Sequence, residues 1–411
     1  MSLTVSNAHI ETQQIAAASN MQSRAHRHIS PPPRRPPRII LSTAEIIGHN
    51  EDILTQILIH LPFNSLGKFR CVSKHWYSLI THHLPPRLYP PPCGLLYLRH
   101  QLQEDGSHQK QREYEYVAVD AANNRRAGIP FSSISLVDEP AETDIVRSTN
   151  GLLLFRNWGA GYGDYYVYSP ITKQKRTLPP IENLVCYECL AYDPVVSVSN
   201  YKVVAIHRLR NYTPHQIVIY SSETGMWRVS NTLPPESLSV GYKRSVYLHG
   251  AVIWVGVDGH CCFRFDLDGE QLKKFDTPGG NFDYRYLCES RGRLYGVVKK
   301  LEKKQNDDDM IDGAWFDVYE MSTLCCAGWT LKHRIDVSSI ITTCSDYDGL
   351  WFLSVVMEEN QDDSLALVAS RACGMIFRYN FKNKTFMEFH ECDYLNQIEK
   401  ALSYTEVLTF L

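Results

Sequence analysis

Five times after residue 150 the chain repeats one unit: an alternating, aromatic-rich strand, a polar turn, and a second short strand. The unit reads Tyr166-Val167-Tyr168 then Thr177-Leu178, Ile217-Val218-Ile219-Tyr220 then Met226-Trp227, and Phe263-Arg264-Phe265-Asp266 then 272–275. It continues as Phe316-Asp317-Val318-Tyr319 then Trp329, and Ile376-Phe377-Arg378-Tyr379 then 386–389. Aligned on Tyr168, Tyr220, Asp266, Tyr319 and Tyr379, the steps are 52, 46, 53 and 60 residues. An apolar run precedes each unit, at 151–155, 201–206, 250–255, 292–298 and 365–369, and the runs 94–98 and 114–119 can supply a further unit. Repeats of ~50 residues with about four short strands predict a mainly β fold, a kelch-like β-propeller whose blades cover one another's faces. Six irregular blades are expected; the competing arrangement is a two-sheet sandwich.

Residues 51–80 have a different periodicity. Ile53, Leu54, Ile57, Leu58 and Leu61 line one helical face, and Leu66, Phe69, Val72, Trp76, Leu79 and Ile80 line another. Pro62 ends the first helix, Asn64 or Ser65 can cap the second, and Pro85-Pro86 forbid its continuation. So short a segment cannot cover that much apolar surface alone, because domains below roughly 40 residues usually need a partner, a metal or disulfides. Its apolar faces want another protein. Residues 1–45, with Pro31-Pro32-Pro33-Arg34-Arg35-Pro36-Pro37-Arg38, read as an extended tail that could hold a nuclear import signal, and 85–93 as a proline-rich joint. The helical segment then spans 46–84 and the propeller 94–411.

The run Glu51-Asp52-Ile53-Leu54, Ile57-Leu58, Leu61-Pro62, Leu66, Phe69-Arg70-Cys71-Val72-Ser73-Lys74, Trp76 and Ser78-Leu79-Ile80 resembles a plant-type F-box. Two departures are His49-Asn50, where the family usually has Leu-Pro, and Gly67 within the second helix. The region after residue 94 resembles the plant F-box-associated domain, through Asn150-Gly151-Leu152-Leu153-Leu154, 166–170 with Thr172-Lys173-Gln174, Leu190-Ala191-Tyr192-Asp193-Pro194, Tyr201-Lys202-Val203-Val204 and Val246-Tyr247-Leu248-His249-Gly250-Ala251. The resemblance implies the substrate-recognition subunit of an SCF-type E3 ubiquitin ligase. It would dock a Skp-family adaptor, and through it a cullin, by way of Ile53, Leu54, Ile57, Leu58, Leu61, Pro62, Leu66, Phe69, Val72, Trp76, Leu79 and Ile80, and recruit a protein substrate through propeller loops.

Composition points the same way. A formal charge of -3 gives no electrostatic reason to expect nucleic acid or an anionic membrane. No apolar run approaches a membrane span, so an intracellular protein of cytoplasm or nucleus is expected. The twelve cysteines lie mostly in apolar, strand-like surroundings and read as reduced core thiols. Cys186-x-x-Cys189 has metal-like spacing but no second pair to complete a zinc set. The Gly159–Gly163 stretch lacks the Lys and helix of a phosphate loop, and Asp307-Asp308-Asp309 and 358–363 lack the ligand pattern of a calcium loop. No catalytic motif, metal site or cofactor site is legible, so a binding protein is expected; the alternatives are a propeller-type enzyme or a non-ligase interaction scaffold. Candidate substrate loops are 157–164, 209–215, 276–283, 302–313 and 358–363, with Tyr162, Arg210, Tyr212 and Phe282 as candidate substrate-binding residues.

Overall fold

The computed structural model describes residues 50–411 apart from 59–60, 62–65, 67–68, 70–71, 81–92, 102–110, 120–130, 137–138, 140–142, 159–163, 182–183, 198, 209–214, 235–244, 257–258, 260, 280–284, 305–306, 322–327, 345–348, 359–362, 393–400, 406 and 408–410. The expected tail at 1–45 and the joint up to residue 92 therefore lie outside the described residues.

Among the described residues, helices α1 (Glu51–Leu58) and α2 (Lys74–Ser78) precede strands β1 (Gly94–Gln101), β2 (Gln111–Ala118) and β3 (Ser133–Ser135). A blade of β4 (Thr143–Thr149), β5 (Leu152–Asn157), β6 (Asp164–Ser169) and β7 (Gln174–Thr177) comes next. The second blade is β8 (Leu184–Ala191), β9 (Lys202–Arg208), β10 (Gln216–Ser221) and β11 (Met226–Val229). The third is β12 (Val246–Leu248), β13 (Ala251–Val255), β14 (Cys261–Asp266) and β15 (Leu272–Asp276). The fourth is β16 (Arg285–Ser290), β17 (Arg293–Lys304), β18 (Asp307–Met321) and β19 (Trp329–Asp336). Helix α3 (Ser338–Cys344) leads to the fifth, β20 (Leu350–Val356), β21 (Leu365–Ser370), β22 (Met375–Asn380) and β23 (Thr385–Glu391), and β24 (Leu402–Tyr404) ends the series. The sixth sheet runs β24-β1-β2-β3, so the two ends of the propeller share one blade. Six four-stranded sheets make the expected six blades. The innermost strands β4, β8, β12, β16, β20 and β24 neighbour one another in a closed ring.

The core is not one mass but six apolar layers, each between two adjacent blades. Second strands explain why. On β5, Leu152 and Leu154 face the second blade while Leu153 and Phe155 face the sixth. On β13, Val252 and Trp254 face one neighbour and Ile253 and Val255 the other. A strand whose two faces are both covered needs apolar residues at every position, which is why these strands read as continuous hydrophobic runs. Fourth strands such as β7 and β11 sit on the rim and are mostly exposed, so their sequences are short and polar.

Turn chemistry repeats too. Asn150-Gly151, His249-Gly250 and Arg291-Gly292 have φ of 44 and 83, 44 and 73, and 53 and 70 degrees, the paired positive values of a type I′ hairpin turn. Between third and fourth strands, Asp266 Oδ1 accepts from the N–H groups of Asp268 and Gly269, and Asn380 Oδ1 from those of Lys382 and Asn383. On the rim, the indole N–H of Trp227 donates to Pro179 O and that of Trp329 to Asp276 O, both at 2.8 Å, stitching a fourth strand to the preceding blade.

One expectation is corrected. Residues 302–313 are not a loop: β17 and β18, of 12 and 15 residues, remain paired up to Lys304 opposite Asp307. Buried Asp317 accepts from Lys300 Nζ at 2.8 Å and Arg334 Nε at 2.7 Å, so charge aligns all three strands of this long hairpin and its rim partner. Burial alone would raise the Asp317 carboxyl, but these hydrogen bonds prevail and hold it below the usual range.

Closure rests on β24. Leu402, Ser403 and Tyr404 pair with Leu96, Leu95 and Gly94, and Cys93 N donates to Tyr404 O at 2.8 Å. The Tyr404 ring is fully buried, edge-on to Tyr116 at 5.9 Å and to Phe131 at 5.4 Å. We expect Tyr404→Ala to destabilise the protein by about 3–5 kcal/mol, read as a lower denaturant midpoint. An unchanged midpoint would show that the ring does not depend on this strand.

Candidate functional site

The helical segment has its own small core. Leu54, Leu58, Leu66, Leu79 and Ile80 are buried together, with Leu61, Phe69 and Trp76 packed partly against them. Trp76 meets Phe69 edge-on, centroids 5.6 Å apart. Ser73 caps α2, its Oγ accepting from Trp76 N at 3.1 Å, so the second apolar stretch is interrupted by a turn. Val72, donating its N–H to Phe69 O in that turn, is 58% exposed and not on a buried face.

The remaining candidates point outward. Ile53 and Ile57, one turn apart on α1, are each 44% exposed. With Asp52, Gln56 and Leu61 they line an open, largely apolar groove beside the buried stripe. Of the expected docking residues, five build the module's core, Leu61, Phe69 and Trp76 pack partly against it, and Ile53, Ile57 and Val72 are exposed. Pro62 lies outside the described residues.

A second concavity is the mouth of the propeller channel, lined by the innermost strands and including Arg147, Ser245, His249, Glu289 and Ser403. Arg147 reaches from it to the two following blades. Arg147 Nε donates to Glu188 O at 2.7 Å and to Ser245 Oγ at 2.9 Å, while the Glu188 carboxylate lies 3.8 Å from Arg147 and 3.5 Å from the buried Arg156. This cluster pins three blades around the axis. Sequence reasoning missed it, because Arg147, Glu188 and Ser245 are far apart in the chain. Among the described residues no group of three His, Cys, Asp or Glu could hold a metal ion, and burial pushes the Cys189 thiol up to about 11.

The propeller has two distinct ends. Neighbouring first strands run the same way: Asn150 Nδ2 donates to Tyr192 O and His249 Nε2 to Gly292 O, each at 2.8 Å and each pair just past two strand ends. At this near end lie the tight turns, and here β1 begins, opposite Tyr404. Connections from second to third strands, and from one blade to the next, therefore leave from the far end. The strand ends that flank 157–164, 209–215 and 276–283, and the paired ends of β17 and β18, lie at that end, and the strand ends that flank 358–363 at the near end. Tyr162, Arg210, Tyr212 and Phe282 themselves lie outside the described residues.

Glu289, in the channel mouth, accepts the Gly292 N–H at 2.7 Å. Burial pushes its carboxyl from 4.5 up to about 7, and the Gly292 hydrogen bond opposes only part of that. A carboxyl raised in the folded state contributes fully to stability below its unfolded value and loses that contribution as pH rises through the folded value. We expect Glu289→Gln to leave stability nearly unchanged at about pH 4 and to raise it by roughly 2–3 kcal/mol at about pH 8, measured by denaturant unfolding. Parallel pH profiles of the two proteins would refute this.

Two family models match the chain: the F-box domain at residues 49–87, and the β-propeller of F-box protein At3g26010-like at residues 117–265. F-box protein At5g07610 of Arabidopsis thaliana is 27% identical over 88% of this chain and 89% of its own length. Putative F-box protein At3g52320 of the same plant is 24% identical over 59% of this chain and 64% of its own length. F-box/kelch-repeat protein At3g23880, also from Arabidopsis thaliana, is 24% identical over 66% of this chain and 78% of its own length. The chain carries an F-box domain followed by a six-bladed β-propeller of F-box-protein type, and it resembles plant F-box proteins along most of its length.

Proposed function

We propose that the protein is the substrate-recognition subunit of an SCF-type E3 ubiquitin ligase, working in the cytoplasm or nucleus. Its F-box docks a Skp-family adaptor, which brings a cullin, and its propeller recruits a protein substrate. The observation that carries this reading is the Ile53–Ile57 stripe on α1, left open beside a core that Leu54, Leu58, Leu66, Leu79 and Ile80 already close. An exposed apolar stripe on so small a module is unfavourable in water and favourable at an interface. No chemistry is asked of the propeller: Arg147, Arg156 and Glu188 are spent on one another.

The substrate is held at the far end. The chain enters the propeller at the near end, so adaptor and substrate occupy different faces. The connections at 158–163 and 209–215 differ in length from the tight near-end turns and carry Tyr162, Arg210 and Tyr212.

Ile53→Asp with Ile57→Asp is expected to weaken adaptor binding at least tenfold, since each buried isoleucine contributes roughly 1.5–3 kcal/mol, while unfolding of the propeller stays at the wild-type midpoint. Leu58→Asp should act differently, losing adaptor binding because the helical core is broken, with loss of helical signal. Unchanged capture of the adaptor by the double variant would sink the reading. Replacing 158–163 or 209–214 by Gly-Ser linkers should preserve adaptor capture and reduce substrate ubiquitination; an unaltered set of ubiquitinated proteins would move recognition away from these loops.

A further inference from the structure

We propose that Cys344 and Cys373 form an oxidisable dithiol that closes into a disulfide when the protein meets a peroxide. Cys344 ends α3, in the connection between the fourth and fifth blades, and Cys373 lies in the turn 371–374 between β21 and β22. Their Sγ atoms are 2.7 Å apart although 29 residues separate them in the chain. Both positions belong to the far end of the propeller, by the same strand directions that place the loops there.

Each thiol sits on fixed backbone. The turn carrying Cys373 is held at both ends: Arg371 N donates to Gly349 O at 2.8 Å, and Gly374 O accepts from Cys392 N at 2.7 Å. Helix α3 is anchored by Ile340, buried in the layer between the fourth and fifth blades, and Ser338 N donates to Asp336 Oδ1 at 2.9 Å. Exposure sets Cys373 apart as well: it is exposed, whereas Cys344, Cys93 and Cys288 are half-buried and Cys189, Cys261, Cys262 and Cys392 are buried.

The exposed Cys373 meets the oxidant. Its thiolate attacks one oxygen of hydrogen peroxide, the O–O bond breaks, and the departing hydroxide leaves as water with the thiol proton, giving a sulfenic acid. The Cys344 sulfur then attacks the sulfenic sulfur; the S–O bond breaks, its oxygen leaves as water, and the S–S bond forms. Two thiols are oxidised and one peroxide is reduced to two waters. The link joins α3 to the blade that follows it and encloses β20 and β21 in a covalent loop, fixing two connections of the far end relative to one another.

The test uses the full chain, reduced, freed of reductant and exposed to hydrogen peroxide, then alkylated and digested without reduction. The expected product is a linked peptide containing Cys344 and Cys373, two hydrogens lighter than its parts and split by reductant. Cys344→Ser should instead leave Cys373 trapped by dimedone as the sulfenic acid, and Cys373→Ser should leave Cys344 alkylated as a free thiol. In the wild-type protein both free thiols should disappear at one rate while Cys93 and Cys288 persist. Separate alkylation of Cys344 and Cys373 after peroxide treatment, or linkage of either to a different cysteine in comparable yield, overturns the proposal.

Discussion

Every blade of this propeller is apolar on both faces, so none can be stable until two neighbours cover it. The alternation along β5, with Leu152 and Leu154 turned to one neighbour and Leu153 and Phe155 to the other, recurs on β9, where Val203 and Ala205 oppose Val204 and Ile206. An open chain of such blades would always have two uncovered faces at its ends. Closing the ring removes both, and the closing strand β24 must come from the far end of the sequence to pair with β1. Stability thus depends on a contact of maximal sequence separation, whose loop-closure entropy has to be offset by the two inter-blade layers it completes.

That dependence explains which parts of the fold the sequence reveals. Two-sided burial makes second strands into continuous hydrophobic runs, and local turn chemistry marks the strands around them: Asn150-Gly151 needs only its own residues to adopt paired positive φ. The aromatic positions Tyr168, Tyr220 and Tyr379 proved to lie on third strands of their blades because each unit has the same internal order. By contrast β24 is three residues long, and its partner is some three hundred residues away, so no local pattern announces it. The extended β17–β18 hairpin was hidden for another reason: Lys303, Lys304, Asp307 and Asp309 have the composition of a solvated loop, and only cross-strand pairing makes strands of them.

The F-box shows the same division at smaller scale. Ile53, Leu54, Ile57 and Leu58 are adjacent apolar residues on one helix, and periodicity alone gives two neighbouring stripes without saying which turns inward. Leu66, Leu79 and Ile80 decide it by packing against Leu54 and Leu58. With that core closed, Ile53 and Ile57 are each left 44% exposed at its edge. The apolar residues of this segment were therefore legible as a group in the sequence, while the separation of buried from exposed members required the fold.

Topology adds a constraint that neither composition nor motif contains. Because β1 is the second strand of its blade, the chain enters the propeller at the end that holds the two-residue turns Asn150-Gly151, His249-Gly250 and Arg291-Gly292, and every blade-to-blade connection leaves from the other. Tight turns have little freedom to vary: a two-residue hairpin with paired positive φ admits few residue types, as Gly151, Gly250 and Gly292 illustrate. The longer blade-to-blade connections at the far end are not two-residue hairpins and can change in length without disturbing the layers between blades. The Cys344–Cys373 pair lies at that same end, between connections that the blade layers leave free to vary.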